Sequence, residues 1–177
     1  MLLGTYTAIR TTEPDDAPWL HPLYDPMHPR AALLDPRREP LYITRDELRE
    51  ALTKRDVERG TFFTVEDSAG RVLGFCSLRH GRAEAGFGEV SVLFLDDADY
   101  TSAAAGEVGA FLRERAFERH RLRKVIGHAL DHETGLNRWL QDEGYTFDGA
   151  YREVLWHGGR WHNMHSWTLA APGATIN

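Results

Sequence analysis

The chain has 177 residues, of which 42% are hydrophobic, and it carries a formal net charge of −6. This length suits a single domain with a substantial core, and we expect one domain over residues 1–177. The acidic balance argues against general nucleic-acid binding, which usually needs a basic surface. No apolar run reaches the 18 residues of a membrane-spanning helix, and the single cysteine, Cys76, excludes an intrachain disulfide. We therefore expect a cytoplasmic protein that binds neither nucleic acid nor membrane.

The first part of the chain predicts one strand, two helices and a long arm. Residues 5–10 alternate loosely and predict the first strand, which a short capped helix follows. The arm, about 18–40, is rich in proline but too aromatic and apolar for a plain linker, which is typical of a binding loop or lid. Thr44 and Glu47 have the capping-box spacing and predict a second helix to about residue 58.

The middle of the chain predicts a hairpin and then a buried strand. Turn residues at 67–70 join two strand-like runs, 61–66 and 71–79. The run from 90 to 95 is almost wholly apolar, which is typical of a strand covered on both faces. An acidic turn and a helix with small residues in its first turn follow this strand.

The first turn of that helix is a candidate anion site. A helix N-terminus presents unpaired backbone N–H groups and a partial positive charge, so it can hold a phosphate. Thr101 or Ser102 can cap the helix. Small residues also occur wherever a helix packs closely on a sheet, and this explanation stays open beside the first. The amides predicted to bind pyrophosphate are those of Ser102, Ala103, Ala104, Ala105 and Gly106.

The C-terminal half predicts a strand, a helix and a hairpin. With the preceding elements, the order β-α-α-β-β-β-α-β-α-β-β indicates an α/β fold with one mixed sheet of about seven strands and about four helices. A crossover connection would join its two central parallel strands. The predicted bounds are 124–130 for the strand, 133–143 for the helix, 145–156 and 161–169 for the hairpin strands, and 170–177 for a frayed tail.

This order and several local motifs resemble the GCN5-related N-acetyltransferase (GNAT) superfamily over nearly the whole chain. The C-terminal half is similar to the branch that acetylates the N-terminal amine of ribosomal proteins, together with its antibiotic- and metabolite-acetylating relatives. The motifs that carry the resemblance are Ala116-Phe117, Gly144-Tyr145, Asp148-Gly149, Arg152 and Gly159-Arg160-Trp161.

The resemblance implies an N-acyltransferase that moves the acetyl group of acetyl-CoA to a primary amine of a small metabolite or antibiotic, or to a protein N-terminus. The pantetheine would lie in a splay beside the central strand, where backbone groups of Phe94 and Leu95 would polarise the thioester. The amine must lose a proton before it attacks, and Glu89 is the candidate base. Alternatively, Glu89 is a solvated carboxylate at the end of a strand with no catalytic role. His80, His128 and His132 could also relay protons, although a surface or packing role is commoner for such histidines.

The pyrophosphate loop departs from the family's pattern. Tyr100 stands where relatives carry a basic residue or glutamine, and Ala103 and Ala105 stand where they carry glycine or a small residue. The usual asparagine of the next helix falls on Glu133, whose carboxylate would face the cofactor. We therefore expect weak binding of acetyl-CoA. Two alternatives stay open: a transferase with a different acyl donor, and a non-catalytic binding or regulatory module.

Aromatic residues are the candidates for binding the acceptor: Trp19 and Tyr24 near the arm, and Trp156 and Trp161 around the C-terminal turn. Core packing is the commoner role of such residues. His157, His162 and His165 are close together in the sequence, but we expect no metal site, because His162 and His165 are three apart on a strand and point to opposite faces. A homodimer is compatible with the sequence.

Overall fold

The computed structural model describes residues 2–25, 43–54, 61–80 and 86–174. Most of the predicted arm, the predicted end of the second helix and the last residues of the tail lie outside the described residues. No helix in the described part of the chain is long and apolar enough to cross a membrane.

Eight strands form one mixed sheet in the order β1-β2-β3-β4-β5-β6-β8-β7. Neighbouring strands are antiparallel except β5 and β6, which are parallel. The prediction of one mixed sheet is confirmed, and the added strand is the two-residue β1 at its edge. The bounds are β1 Leu2–Leu3, β2 Thr7–Thr11, β3 Thr61–Asp67, β4 Val72–His80, β5 Phe87–Phe94, β6 Lys124–Leu130, β7 Thr146–His157 and β8 Arg160–Ala170.

The first predicted strand begins two residues later than the sequence indicates. The carboxylate of Glu107 accepts hydrogen bonds from the amides of Thr5 and Tyr6 and from the hydroxyl of Thr7. Because this long-range clamp holds residues 4–6 as a loop, the regular strand β2 begins only at Thr7.

Four α-helices in the described residues cover the sheet. The capping box is confirmed, because the Thr44 hydroxyl accepts from the Glu47 amide while the Glu47 carboxylate accepts from the Thr44 amide. Shorter 3-10 turns precede or follow α1 and precede α3, and a π-helical turn at Glu114–Arg119 extends α3. The bounds are α1 Ala17–Leu20, α2 Arg45–Thr53, α3 Ala103–Arg113 and α4 Thr134–Asp142.

The helices lie on both faces of the sheet, as the apolar sequence of β5 predicts. Val90, Val92 and Phe94 pack in the core beneath α3 and α4. Leu93, which points the other way along the strand, packs beneath α1 and α2. Glu89 is four residues before Leu93 on the same strand, and side chains alternate between faces, so Glu89 also lies on the α1/α2 face.

The parallel strands β5 and β6 pair over only part of their length. Their register runs from Phe87 opposite Lys124 to Val90 opposite Gly127 and stops there. The ends of the two strands, up to Phe94 and Leu130, continue without pairing to each other. This splay opens next to the N-terminus of α3.

Candidate active site

The β5 wall of the splay is hydrogen-bonded to Tyr100. Leu95 donates its amide to the Leu73 carbonyl of β4 at 2.8 Å, and backbone groups alternate sides along a strand. The Phe94 amide and the Val92 carbonyl therefore face β6. The Tyr100 hydroxyl accepts from the Phe94 amide at 3.3 Å and donates to the Val92 carbonyl at 3.4 Å. Tyr100 is 4% exposed, so its side chain fills this part of the splay.

The β6 wall is hydrogen-bonded to Glu133. Asp131 donates its amide to Asn163 of β8, so by the same alternation the Leu130 amide faces β5. That amide donates to the Glu133 carboxylate at 2.6 Å. The Asn137 side chain donates to the Leu130 carbonyl at 2.8 Å. The end of β6 is thus held by side chains from the start of α4.

Tyr100 and the first turn of α4 are in close contact. A Cβ atom at Gly135 would lie 2.9 Å from Cδ2 of Tyr100, which is too close without a shift. The Tyr100 ring also meets the Phe94 ring edge to face, with centroids 5.0 Å apart. Glycine at this position lets α4 approach the ring, so Tyr100 and Glu133 belong to one packed arrangement at the mouth of the splay.

The N-terminus of α3 lies at the same mouth. Ser102 is its cap: the Ser102 hydroxyl accepts from the Ala105 amide at 3.3 Å, and the Ser102 amide donates to the Asp99 carbonyl at 3.1 Å. Among the described residues this leaves the Ala103 and Ala104 amides as the first-turn donors for an anion. Gly106 is exposed, and a Cβ atom there would meet nothing within 4 Å.

The turn between β5 and α3 adds negative charge to this mouth. Asp96 and Asp97 are exposed, and the Asp96 side chain accepts from the Ala98 amide at 2.9 Å. Burial raises the pKa of Asp99, although the positive charge of Arg71 opposes this. Carboxylates here would repel a phosphate bound at the helix N-terminus.

A titratable cluster lies beside the paired end of the splay, on the α1/α2 face. The Glu89 carboxylate is 3.5 Å from Nη2 of Arg79 and 3.8 Å from Nε2 of His128. All three side chains are partly buried. The ring of Tyr151 lies 6.5 Å from that of His128, centroid to centroid. Glu89 therefore has basic partners and is not a simply solvated strand-end carboxylate.

No family model matches the chain, and no curated protein matches its sequence. Solved structures resemble it over nearly its full length. The spermidine N-acetyltransferase of Vibrio cholerae in complex with CoA and spermine has a TM-score of 0.79 at 18% identity, over 96% of this chain and 98% of that one. A probable acetyltransferase gives 0.76 at 19%, over 94% of both chains. A chimera of the Vibrio cholerae enzyme SpeG and hSSAT gives 0.74 at 18%, over 94% of this chain and 96% of that one.

The chain has the GNAT fold. The fold class predicted from the sequence is thereby confirmed, including the helices on both faces of one mixed sheet. At these identities the likeness concerns the fold, and the roles of individual residues rest on the geometry described above.

Three of the backbone amides that were predicted to contact the cofactor need correction. The Leu95 amide faces β4, so it is not a donor into the splay, whereas the Phe94 amide faces the splay and is bonded to Tyr100. The Ser102 and Ala105 amides are engaged within the turn and the cap. Small residues at this turn also serve packing, because Ala105 is buried and its carbonyl accepts from the Trp139 indole at 3.1 Å.

Trp19 and Tyr24 lie in the helical layer on the α1/α2 face of the GNAT sheet. Both are partly buried against the core beneath that layer. The Trp19 indole donates to Asp16 at 2.9 Å, and burial raises the pKa of Tyr24. Their predicted role with the acceptor stays a prediction, since most of the arm lies outside the described residues.

Trp156 and Trp161 face each other across the β7–β8 hairpin. Their ring centroids are 5.6 Å apart, and they are 58% and 55% exposed. Core packing is therefore the wrong explanation for this pair. The turn between them requires glycine, because Gly158 and Gly159 have φ values of +58° and +82°.

The same hairpin brings together a polar cluster that the sequence analysis missed. Nδ1 of His162 lies 2.7 Å from Oδ1 of Asp131 and 3.0 Å from Nδ1 of His132. Burial lowers the pKa of His132, and the neighbouring His162 and His157 lower it further. Burial by itself would raise the pKa of Asp131, but hydrogen bonds from the Asn163 amide and His162 outweigh it and lower the pKa.

The signal for this cluster is spread over distant parts of the sequence. Asp131 and His132 directly follow β6, and His162 lies on β8, which pairs with β6. The pairing of a predicted strand with the C-terminal hairpin would have placed them together. His165, the residue compared with His162 in the sequence, instead bonds to Asn137 at 2.8 Å.

Proposed function

We propose that this GNAT-fold protein is an N-acyltransferase that moves the acetyl group of acetyl-CoA to a primary amine of a small molecule. The observation that carries the proposal is the splay of β5 and β6, with a helix N-terminus at its open end and Glu89 beside its paired end. The match to a structure that contains CoA and spermine supports both the donor and the class of acceptor.

The donor is held at two places. The Ala103 and Ala104 amides receive the pyrophosphate, with the partial positive charge of α3 behind them. The pantetheine occupies the splay, where its amide groups pair with the Val92 carbonyl and the Phe94 amide. Tyr100 must first release both groups, and its hydrogen bonds of 3.3 and 3.4 Å are long and therefore weak.

The acceptor approaches from the α1/α2 face. A primary amine is protonated at neutral pH, so Glu89 removes a proton, directly or through His128 at 3.8 Å. The free amine attacks the thioester carbonyl carbon, the C–S bond breaks, and the CoA thiolate leaves. The newly acylated nitrogen loses its remaining excess proton to solvent, and the thiolate takes up a proton from solvent, so the products are the acetylated amine and free CoA. A small amine fits this scheme. The similarity to the ribosomal-protein branch makes a peptide N-terminus the second acceptor class to test.

A second candidate function is a GNAT-fold binding module without acyl transfer. The observation in its favour is that Tyr100 and Glu133 already accept hydrogen bonds from backbone amides on both walls of the splay. In this case the two side chains would be a permanent part of the core and acetyl-CoA would not enter.

The deciding experiment combines acetyl-CoA titration calorimetry with detection of released CoA thiol. The acceptors are a panel of polyamines, aminoglycosides and short peptides, and Glu89→Gln is the matched variant. Binding of acetyl-CoA with amine-dependent thiol release that Glu89→Gln reduces would support acyl transfer. If acetyl-CoA neither binds nor turns over while the protein stays folded, acetyl transfer is excluded, and the two alternatives stand instead: a transferase with a different acyl donor and the non-catalytic module.

A homodimer would involve the exposed strand β7 at the edge of the sheet. Phe147, Tyr151 and Trp156 project from it as large exposed apolar side chains, and one of the similar acetyltransferase structures is dodecameric. We infer that a second copy packs here. Sedimentation of Tyr151→Glu as a smaller species than the parent protein would support this, and equal sizes would contradict it.

A further inference from the structure

Three side chains near the tip of the β7–β8 hairpin and the end of β6 lie close enough together to share a metal ion. Asp131 Oδ1, His132 Nδ1 and His162 Nδ1 form a triangle with sides of 2.7, 3.0 and 3.7 Å. Donors bound to a tetrahedral zinc ion at about 2.0–2.1 Å lie about 3.3 Å apart. The three separations lie on both sides of that value, so small shifts of the side chains would let one ion contact all three atoms.

Protons alone satisfy this triangle poorly. His162 is 3% exposed, so solvent does not serve its ring. If His162 Nδ1 carries a proton, that proton faces both the Asp131 carboxylate and the His132 nitrogen and can satisfy only one of them well. If it carries none, its lone pair faces a carboxylate oxygen at 2.7 Å. An ion accepts all three lone pairs at once.

We propose that Asp131, His132 and His162 bind a divalent transition-metal ion, with Zn²⁺ as the ion best matched to two imidazole nitrogens and one carboxylate. Three protein ligands leave one position open for water or another small ligand. None of the three ligands has a role in the proposed acyl transfer, so the metal site does not rest on that proposal.

The surroundings of the ligands support this assignment. Metal-bound histidines usually donate their other ring N–H to a backbone carbonyl, and bound carboxylates accept a further hydrogen bond. His162 Nε2 lies 3.2 Å from the His157 carbonyl. The second Asp131 oxygen accepts from the Asn163 amide at 3.0 Å. Nε of Arg160 is farther from the same ring nitrogen, at 3.4 Å, and its exposed side chain can turn to solvent when that nitrogen donates.

The ion would connect two parts of the fold that are distant in sequence. Asp131 and His132 belong to the turn from β6 to α4, and His162 belongs to β8 near the hairpin tip. That turn also carries Glu133, which bonds to the end of β6. Metal binding therefore fixes the hairpin tip with Trp156 and Trp161 against this turn.

The test is calorimetric titration of the full-length, chelator-treated protein with Zn²⁺ alone. We expect one ion per chain and a rise of several degrees in the unfolding temperature, because a ligand of the native state stabilises it by mass action. His132→Ala removes a partly exposed ligand and should weaken Zn²⁺ binding by more than about 100-fold, beyond the 10- to 100-fold cost of losing an outer partner. His162→Ala should do the same but removes a buried ring, so His132→Ala carries the test.

The matched control is His165→Gln, which removes another β8 histidine outside the triangle. One-to-one binding that persists in His165→Gln and is lost in His132→Ala supports the site. Co²⁺ in place of Zn²⁺ adds a direct readout, since strong visible d–d bands identify four-coordinate metal. Absence of Zn²⁺ binding, equal affinity in His132→Ala and the parent, or equal loss in His165→Gln would each overturn the proposal.

Discussion

The Tyr100 hydroxyl lies 3.3 Å from the Phe94 amide nitrogen, between two parallel strands that have stopped pairing. In the scheme for the GNAT fold this amide faces the pantetheine of the donor. In the same way, the Glu133 carboxylate accepts a hydrogen bond from the Leu130 amide of the opposite strand. Both side chains stand at positions where the sequence departs from the family's pattern, so the departures concern the splay as well as the pyrophosphate loop.

Tyr100→Phe should strengthen acetyl-CoA binding. The ring stays in its packed position, while the Phe94 amide and the Val92 carbonyl lose their internal partner. A hydrogen bond contributes about 0.5–1.5 kcal/mol net, so its removal from the competing state should lower the dissociation constant about 2- to 12-fold. The free protein should lose about 1 kcal/mol of stability for the same reason.

Titration calorimetry and urea unfolding measure these two effects for Tyr100→Phe. Tyr145→Phe is the matched control, because Tyr145 is also buried but packs on Trp139. An unchanged dissociation constant in Tyr100→Phe would mean that the donor does not compete with the hydroxyl.

Gly106→Asp and Gly106→Asn test the helix N-terminus as the pyrophosphate site. A Cβ atom fits at this exposed position, so both variants should fold, and the two side chains differ in charge but hardly in shape. A carboxylate near bound phosphate costs about 0.5–1 kcal/mol in a solvent-screened position, so Gly106→Asp should raise the dissociation constant of CoA about 2- to 5-fold. Equal affinities of the two variants would place the pyrophosphate elsewhere. Ala105→Leu is a poorer test, because the Ala105 side chain is buried in the core.

Glu89→Gln should lower kcat about 100-fold or more and move the rate to higher pH. General-base help contributes about 10²–10⁴ in rate. Without the carboxylate, the amine loses its proton only to solvent, so the rate should keep rising toward the pKa of the amine itself. The measurement is kcat against pH, with Glu118→Gln at an exposed position as control. If the kcat–pH profile of Glu89→Gln matches that of the parent at every pH, Glu89 has only a structural role.

Elements encoded by neighbouring residues were predictable from the sequence. The capping box of Thr44 and Glu47, the apolar strand β5 and the Gly158-Gly159 turn each depend on residues a few positions apart. Their physical causes, which are cap hydrogen bonds, burial on two faces and positive φ, act locally. The order of such elements was sufficient for the fold class.

Contacts across the sheet were not predictable in the same way. The sequence indicates only that Tyr100 replaces the family's usual basic residue. Nothing in the neighbouring residues indicates that its hydroxyl forms hydrogen bonds with the backbone of β5. The Leu95 error has a similar origin, since which amides face the splay depends on the register of β4. Asp131 and His162 meet only because β8 pairs with β6, about thirty residues away in sequence.

Acid should destabilise the protein through Asp16. Burial raises the pKa of this carboxyl, but hydrogen bonds from Arg10, the Glu13 amide and the Trp19 indole outweigh it and lower the pKa to about 2. A depressed pKa stabilises the fold above the unfolded value of 3.8, and the contribution disappears as the pH falls toward 2. Its size is on the order of 2 kcal/mol.

Urea unfolding between pH 6 and pH 2 measures this contribution of Asp16. The expected result is a loss of stability below about pH 4 that is smaller in Asp16→Asn, which has no charge to lose. The Asp15→Asn variant, at an exposed neighbouring carboxylate, should keep the parent's acid dependence. The same slope in Asp16→Asn as in the parent would contradict the role of Asp16.

Acetyl-CoA should bind weakly, and added salt should strengthen the binding. The mouth of the splay lacks the family's basic residue and carries Asp96, Asp97 and Asp99 beside Glu133. Each such change costs about 0.5–1 kcal/mol where solvent screens it, so three or four raise the dissociation constant roughly ten- to several-hundred-fold relative to a loop with the usual residues. A cationic site loses affinity as salt rises, whereas a net repulsive one gains it. The screening length falls from about 30 Å at 0.01 M to about 8 Å at 0.15 M.

The measurement is the dissociation constant of acetyl-CoA at these two salt concentrations, for the parent and for Asp97→Asn. Asp97→Asn should bind acetyl-CoA more tightly than the parent at low salt and nearly equally at physiological salt. The substitution removes the repulsion between the Asp97 carboxylate and the phosphates, and salt screening weakens the same repulsion in the parent. A Glu118→Gln control, far from the mouth in sequence and exposed, should follow the parent at both concentrations. Tight binding that salt does not change would mean that other groups of this chain compensate the acidic loop, and the usual acetyl-CoA site would then stand in full.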